Sequence, residues 1–220
     1  MNKFKLITIL TLTTLAPFAW ADVSVTGTLT SDYVFRGISQ TDSSPAVQAS
    51  LDYEHESGFF SGVWASNIDF GDDADAEINL YAGYFSEVNE SLSYDISYTY
   101  YAYTGYSSEE DYDYGEIILN GYIYAFTLTF SLTSDYANSG DAAQYIGVAY
   151  DFDLPNEYAL ALQSGYTMGN AWEDSEYIDY GATVSRIYNG FDVSAAIINT
   201  DIDDDDTADV RFVLSVERTF

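Results

Sequence analysis

Cysteine is absent from the 220 residues, histidine occurs once, as His55, and the only lysines are Lys3 and Lys5. Without thiols the chain has no disulfide framework and no sulfur ligands for a metal. A lone histidine leaves little room for a nucleophilic triad or a zinc centre. Beyond residue 21 no stretch approaches the roughly 18 apolar residues of a spanning helix. The i, i+3, i+4 spacing of an amphipathic helix is likewise not sustained there. Acidic residues number 36, so phosphate backbones are repelled and nucleic acid is excluded as a partner.

The N-terminus carries the cations that the rest lacks. Lys3 and Lys5 precede an apolar stretch, Leu6 to Ala16, and Ala19-Trp20-Ala21 supplies a small-x-small cleavage pattern. Residues 1–21 therefore read as a secretory signal peptide, leaving a single domain over 22–220. That domain has four arginines against 36 carboxylates, a net charge of −32. Disorder is the usual outcome of such acidity. The 22 tyrosines, 13 phenylalanines and three tryptophans of the full 220 residues exclude it.

Apolar and polar residues alternate with period 2. Val23, Val25, Leu29, Tyr33 and Phe35 alternate with Ser, Thr and Asp, as do Leu92, Tyr94, Ile96, Tyr98 and Tyr100. This is the pattern of strands with one apolar face. Twelve runs are predicted, at 22–38, 45–56, 58–70, 76–87, 91–106, 112–125, 127–137, 143–153, 157–168, 176–188, 190–200 and 208–220. Only 112–125 has no assignable face, because Ile117, Ile118, Leu119, Tyr122 and Ile123 break the alternation.

Links alternate between short ones (Glu56-Ser57-Gly58, Asn89-Glu90, Pro155-Asn156, Asn189-Gly190) and longer acidic ones, "GDDADA", "SSEEDYD", "NAWEDSE" and "DIDDDDTAD". A soluble β-sandwich would alternate too, but it gives no reason for this asymmetry. An even strand number, with short turns at one end and polar loops at the other, predicts an all-β, transmembrane, up-and-down antiparallel barrel of twelve strands. Phe212, Leu214, Val216 and Phe220 share one face of the last run, with Arg218 placed to snorkel. A terminal Phe220 is the expected contact for the outer-membrane assembly machinery.

"SDYVFRGISQT" (31–41), "PAVQASLDYEHESGFFSGVWASNID" (45–69), "EINLYAGY" (77–84) and "YYAYTGYSSEEDYDYGE" (100–116) resemble the TorF family of porin-like proteins of Gram-negative outer membranes. Thr104 stands where that family more often has proline. The resemblance implies a pore and supplies no ligand or catalytic residue.

Parity along the runs predicts a lumen lined by Asp32, Arg36, Gln48, Asp52, Asp95, Asp135, Gln163, Asp179 and Arg211. Arg36 and Arg211 are expected together at the seam between the first and last strands, beside Asp32 and Asp209. A structural ion pair and a selectivity constriction are both open readings of Arg36. Twelve strands predict a narrow passive channel for small solutes, and the carboxylate excess predicts a preference for cations or small neutral solutes. The alternative is a non-conducting barrel whose acidic outer loops bind a surface partner or divalent cations. Lipid and lipopolysaccharide would surround either.

"DIDDDDTAD" spaces Asp201, Asp203 and Asp205 like the start of a calcium loop. It then has Asp206 where such loops need glycine, and Phe212 where they need glutamate. A solvated acidic loop is expected, with no metal site. His55, flanked by Glu54 and Glu56 near a turn, is expected to face the interface, and no catalytic residue or cofactor is expected.

Overall fold

The computed structural model describes residues 22–105, 112–173 and 175–220. The expected signal peptide lies outside the described residues. Among the described residues fourteen strands follow one another: β1 Asp22–Thr30, β2 Val34–Phe35, β3 Ile38–Ser39, β4 Ala46–Glu54, β5 Phe59–Asn67, β6 Ala76–Asn89, β7 Leu92–Thr104, β8 Tyr114–Ile123, β9 Phe126–Thr133, β10 Ala143–Asp153, β11 Tyr158–Met168, β12 Tyr177–Tyr188, β13 Phe191–Thr200 and β14 Arg211–Thr219. Twelve of them, β1 and β4 to β14, form one closed antiparallel barrel in which each pairs with its neighbours in sequence and β14 returns to β1. Closure leaves no open edge, so every strand of the barrel has partners on both sides.

Each of the twelve barrel strands falls within, or within two residues of, one run of alternation. Alternation explains why. Val23, Val25, Leu29, Val47, Leu51, Phe212 and Leu214 point outward and are exposed, whereas Thr26, Thr30, Ser50, Asp52 and Val213 on the same strands point inward and are buried. An exposed apolar belt around the whole barrel is unstable against water and matches a hydrocarbon layer. The terminal Phe220 closes the cylinder: its N–H donates to the Val25 carbonyl at 2.9 Å. Arg218 lies outside, over the rings of Phe191 and Phe220 at 4.9 and 4.8 Å.

The strand over 112–125 is regular after all. Tyr114, Glu116, Ile118 and Tyr122 are buried and Ile117, Leu119 and Ile123 are exposed. The alternation looked broken because two inward positions, Ile118 and Tyr122, carry large hydrophobic side chains.

The two ends differ as expected. At one end the links are short, and Asn189-Gly190 has both φ values positive, 53° and 81°, as a type I′ hairpin requires. His55 sits past the end of β4, in the turn, with its Nδ1 2.8 Å from the Ser57 hydroxyl. It is therefore a turn residue rather than a strand residue at the interface. The other end carries the longer loops, and the longest departs from expectation. The first run does not continue as a strand to residue 38: β1 ends at Thr30, and β2 and β3 form a separate two-stranded hairpin.

Candidate functional site in the barrel lumen

Arg36 and Gly37 form the tip of that hairpin, with φ values of 47° and 86°. Two successive positive φ values are again the mark of a type I′ turn, which matches the right-handed twist of its strands. A left-handed arginine costs ~1–2 kcal/mol, so the surroundings must hold it there. They do so from the far wall of the barrel. Arg36 Nη2 donates to Glu116 Oε2 on β8 at 2.8 Å and to Ser131 Oγ on β9 at 3.1 Å. Its guanidinium lies 4.6 Å from the Phe35 ring centroid and 4.5 Å from that of Tyr145 on β10. Gly37 packs so closely that a β-carbon there would come within 2.5 Å of Thr200 Cγ2 and 2.8 Å of Asp179 Cβ. The hairpin thus crosses the lumen, with its arginine against β8 to β10 and its glycine against β12 and β13.

This corrects the expected position of Arg36. It is not on β1 and does not share the seam with Arg211. The physical reason lies at Asp32, where the chain leaves the sheet. The Asp32 carboxylate accepts from Ser39 Oγ at 2.6 Å and Thr41 Oγ1 at 3.1 Å, which folds the segment back on itself. Beside it, burial pushes the Tyr33 phenol well above its usual pKa, and its hydroxyl donates to Glu77 at 3.4 Å.

Arg211 does stand at the seam. It donates to Asp32 at 3.0 Å, to Ser43 Oγ at 2.6 Å and to the carbonyls of Thr207 and Asp206. The Asp206 carbonyl takes the place expected for Asp209.

Of the other expected lining residues, Asp52, Asp95 and Asp179 are buried. Asp52 accepts from Ser50 Oγ at 2.6 Å and from the Tyr81 hydroxyl, and Asp95 from Tyr122 at 2.6 Å and Asn120 at 3.1 Å. Asp179 is reached by the Tyr145 hydroxyl at 3.5 Å, under the same ring that carries Arg36. Gln48 and Gln163 are half-buried at inward positions of β4 and β11. Asp135 lies past the end of β9, where its carboxylate accepts the Gly140 N–H at 2.7 Å. It braces a loop and is not on the wall, because β9 ends at Thr133 rather than at 137.

Two carboxylates were not anticipated. Glu77 on β6 is 2 % exposed and Glu116 on β8 is fully buried. Their parity was readable, since each precedes an outward isoleucine, Ile78 or Ile117. Glu116 Oε1 and Asp179 Oδ2 are buried without a hydrogen-bond partner, so the two carboxylates flanking the hairpin tip keep acceptor capacity to spare. Above them the rings of Tyr101 and Tyr114 stack at 4.6 Å. Tyr114, Tyr136, Trp172 and Tyr177 then follow one another at 5.0, 5.6 and 5.1 Å.

A closed twelve-stranded antiparallel cylinder, apolar outside and polar inside, is the architecture of the outer-membrane porins. Among solved structures the chain is similar to the KdgM porin, with a TM-score of 0.59 at 11 % identity, covering 90 % of this chain and 99 % of that one. A second KdgM structure, in complex with disordered oligogalacturonate, gives 0.57 at 10 % identity, covering 91 % and 99 %. At such identities the likeness is one of fold. By sequence the chain belongs to the Gcw_chp family, bacterial proteins of unknown function, which it matches over residues 16–220. No curated protein matches it in sequence.

Proposed function

We propose that the protein is a narrow passive channel of the Gram-negative outer membrane that favours cations and small neutral solutes. One observation carries this reading: the charge balance inside the barrel. Asp32, Asp52, Glu77, Asp95, Glu116 and Asp179 are all buried inside the cylinder. The two arginines that share this interior are each spent in an ion pair, Arg36 with Glu116 and Arg211 with Asp32. Rings of carboxylate in a narrow lumen lower the free energy of cations and raise that of anions. The porin fold and the TorF resemblance within residues 31–116 agree with a channel. A KdgM porin holds an oligogalacturonate, a polyanion; the acidic lumen here calls for a different class of solute.

In this reading lipid surrounds the apolar belt, Phe220 engages the assembly machinery, and divalent cations link the acidic loops to lipopolysaccharide phosphates. The test is the reversal potential of the refolded barrel across a potassium chloride gradient. A potential on the cation side is expected, and one on the anion side refutes the selectivity. The hairpin across the lumen favours a second reading, a barrel that does not conduct and offers its acidic loops to a partner. Insertion without conductance steps would select it.

A further inference from the structure

The long-loop end of the barrel opens into a cavity of about 460 Å³. Its lining includes Phe70, Tyr103, Tyr114, Tyr136 and Trp172, with the carboxylates of Asp42 and Asp69. Neighbouring rings are tilted, not stacked: Phe70 and Tyr103 lie 5.8 Å apart at 54°, and Tyr136 and Trp172 5.6 Å apart at 56°. Such a wall offers faces as well as edges. Residues 22–220 contain four arginines and no lysine, and no arginine is among the lining residues. Arg36, next in sequence to the lining residue Phe35, is already engaged by Glu116. Burial pushes the Tyr136 phenol up to about 12 against the pull of Arg36, so it stays a neutral ring.

We infer that this cavity binds an organic cation, an ammonium group carried on an apolar body. Aromatic faces attract a cation through the ring quadrupole, more strongly as water is excluded. The apolar body gains from the same walls by losing contact with water. Asp42 and Asp69 add a local negative potential, within a chain whose overall field already concentrates cations. Each rival ligand leaves part of this lining unused. An inorganic cation keeps its hydration shell and has no use for the rings. A neutral saccharide stacks on rings and donates hydroxyls to carboxylates but leaves their negative charge unused, and an anion is repelled by it. The inference rests on the proposed channel only for the solute's onward route; binding at the mouth needs no open pore.

Titration of the refolded barrel in neutral detergent tests it, in a Trp64→Phe background that leaves Trp172 as the only tryptophan of residues 22–220. Choline should change Trp172 fluorescence saturably, with a Kd near the millimolar range expected of a few cation–π contacts. Its uncharged isostere 3,3-dimethylbutan-1-ol should bind at least about fivefold more weakly, as loss of ~1 kcal/mol of charge attraction requires. Tyr136→Leu should weaken choline by a similar factor. Should that variant fail to show the heat-modifiable band of a folded barrel, Asp69→Asn, an exposed substitution, should weaken choline about twofold and leave the alcohol unchanged. Equal binding of alcohol and choline, tighter binding of maltose than of choline, or no saturable signal with choline overturns the inference. Conductance of the same preparation separates the two claims. Choline binding without steps keeps the site and removes the channel; steps without choline binding do the reverse.

Discussion

Two arginine–carboxylate pairs of almost equal burial perform different tasks in this barrel. Arg211 and Asp32 have 7 % of each side chain exposed, and Arg36 and Glu116 have 9 % and 0 %. The Arg211 pair is local to the seam. Its guanidinium also holds the carbonyls of Asp206 and Thr207, so the β13–β14 loop and the segment after β1 are fastened to one point. The Arg36 pair spans the lumen and fixes a hairpin whose backbone, among the described residues, is otherwise tied near its root, where Ser39 N–H donates to the Thr207 carbonyl at 2.9 Å and the Gln40 carbonyl accepts from the Asp69 N–H at 2.8 Å. One pair stabilises the wall and the other decides what fills the hole. The chemistry of a salt bridge does not assign its role; what each partner is attached to does.

Substitutions that separate the two roles sharpen the comparison. Arg211→Ala should have the largest effect on stability, about 3–5 kcal/mol, because it leaves the Asp32 carboxylate buried without its cation. Urea unfolding in lipid bilayers reads this as a lowered midpoint, with conductance per open barrel little changed. Arg36→Ala should do the opposite. Taking about 3 kcal/mol, the low end for a broken buried pair, the ratio of withdrawn to inserted hairpin rises roughly a hundredfold. Planar-bilayer recording should show larger and more cation-selective steps, while the unfolding midpoint moves less than for Arg211→Ala. If both variants change stability and leave conductance alone, the distinction collapses.

Gly37→Ala acts on the same hairpin with a smaller force. It forces a β-carbon against Thr200 and Asp179 at a φ of 86°, a strain of ~1–2 kcal/mol. About a tenfold shift towards the withdrawn hairpin follows, visible as an intermediate step size. Smallest is Asp135→Asn. Its carboxylate serves a single loop N–H, so the midpoint should fall by under ~1 kcal/mol, and the reversal potential should not move. A changed reversal potential would put Asp135 back on the lumen wall.

The barrel was legible because period-2 alternation is enforced by two solvents at once, lipid outside and a polar interior within. All twelve runs became barrel strands, and Asp52, Asp95, Asp179 and Arg211 turned inward as parity requires. Parity fails where the chain leaves the sheet. Tyr33, Phe35 and Arg36 continue the alternation of β1 in sequence, yet Asp32 turns the backbone inward after Thr30. The readable sign was Arg36-Gly37 between Val34-Phe35 and Ile38, the spacing of a tight hairpin. Asp135 misled for the same reason, since the alternation of β9 runs on past its last ladder bond. Side-chain reach across the lumen, from Arg36 to Glu116, has no signature in sequence, because residues 80 positions apart meet only once the cylinder closes.

The most direct test of this account is single-channel recording of the refolded residues 22–220 beside Arg36→Ala in planar bilayers. The account predicts small, cation-favouring steps for the parent and distinctly larger ones for the variant, with both barrels verified by heat-modifiable migration. Identical step sizes would show that the Arg36 hairpin does not lie in the conduction path.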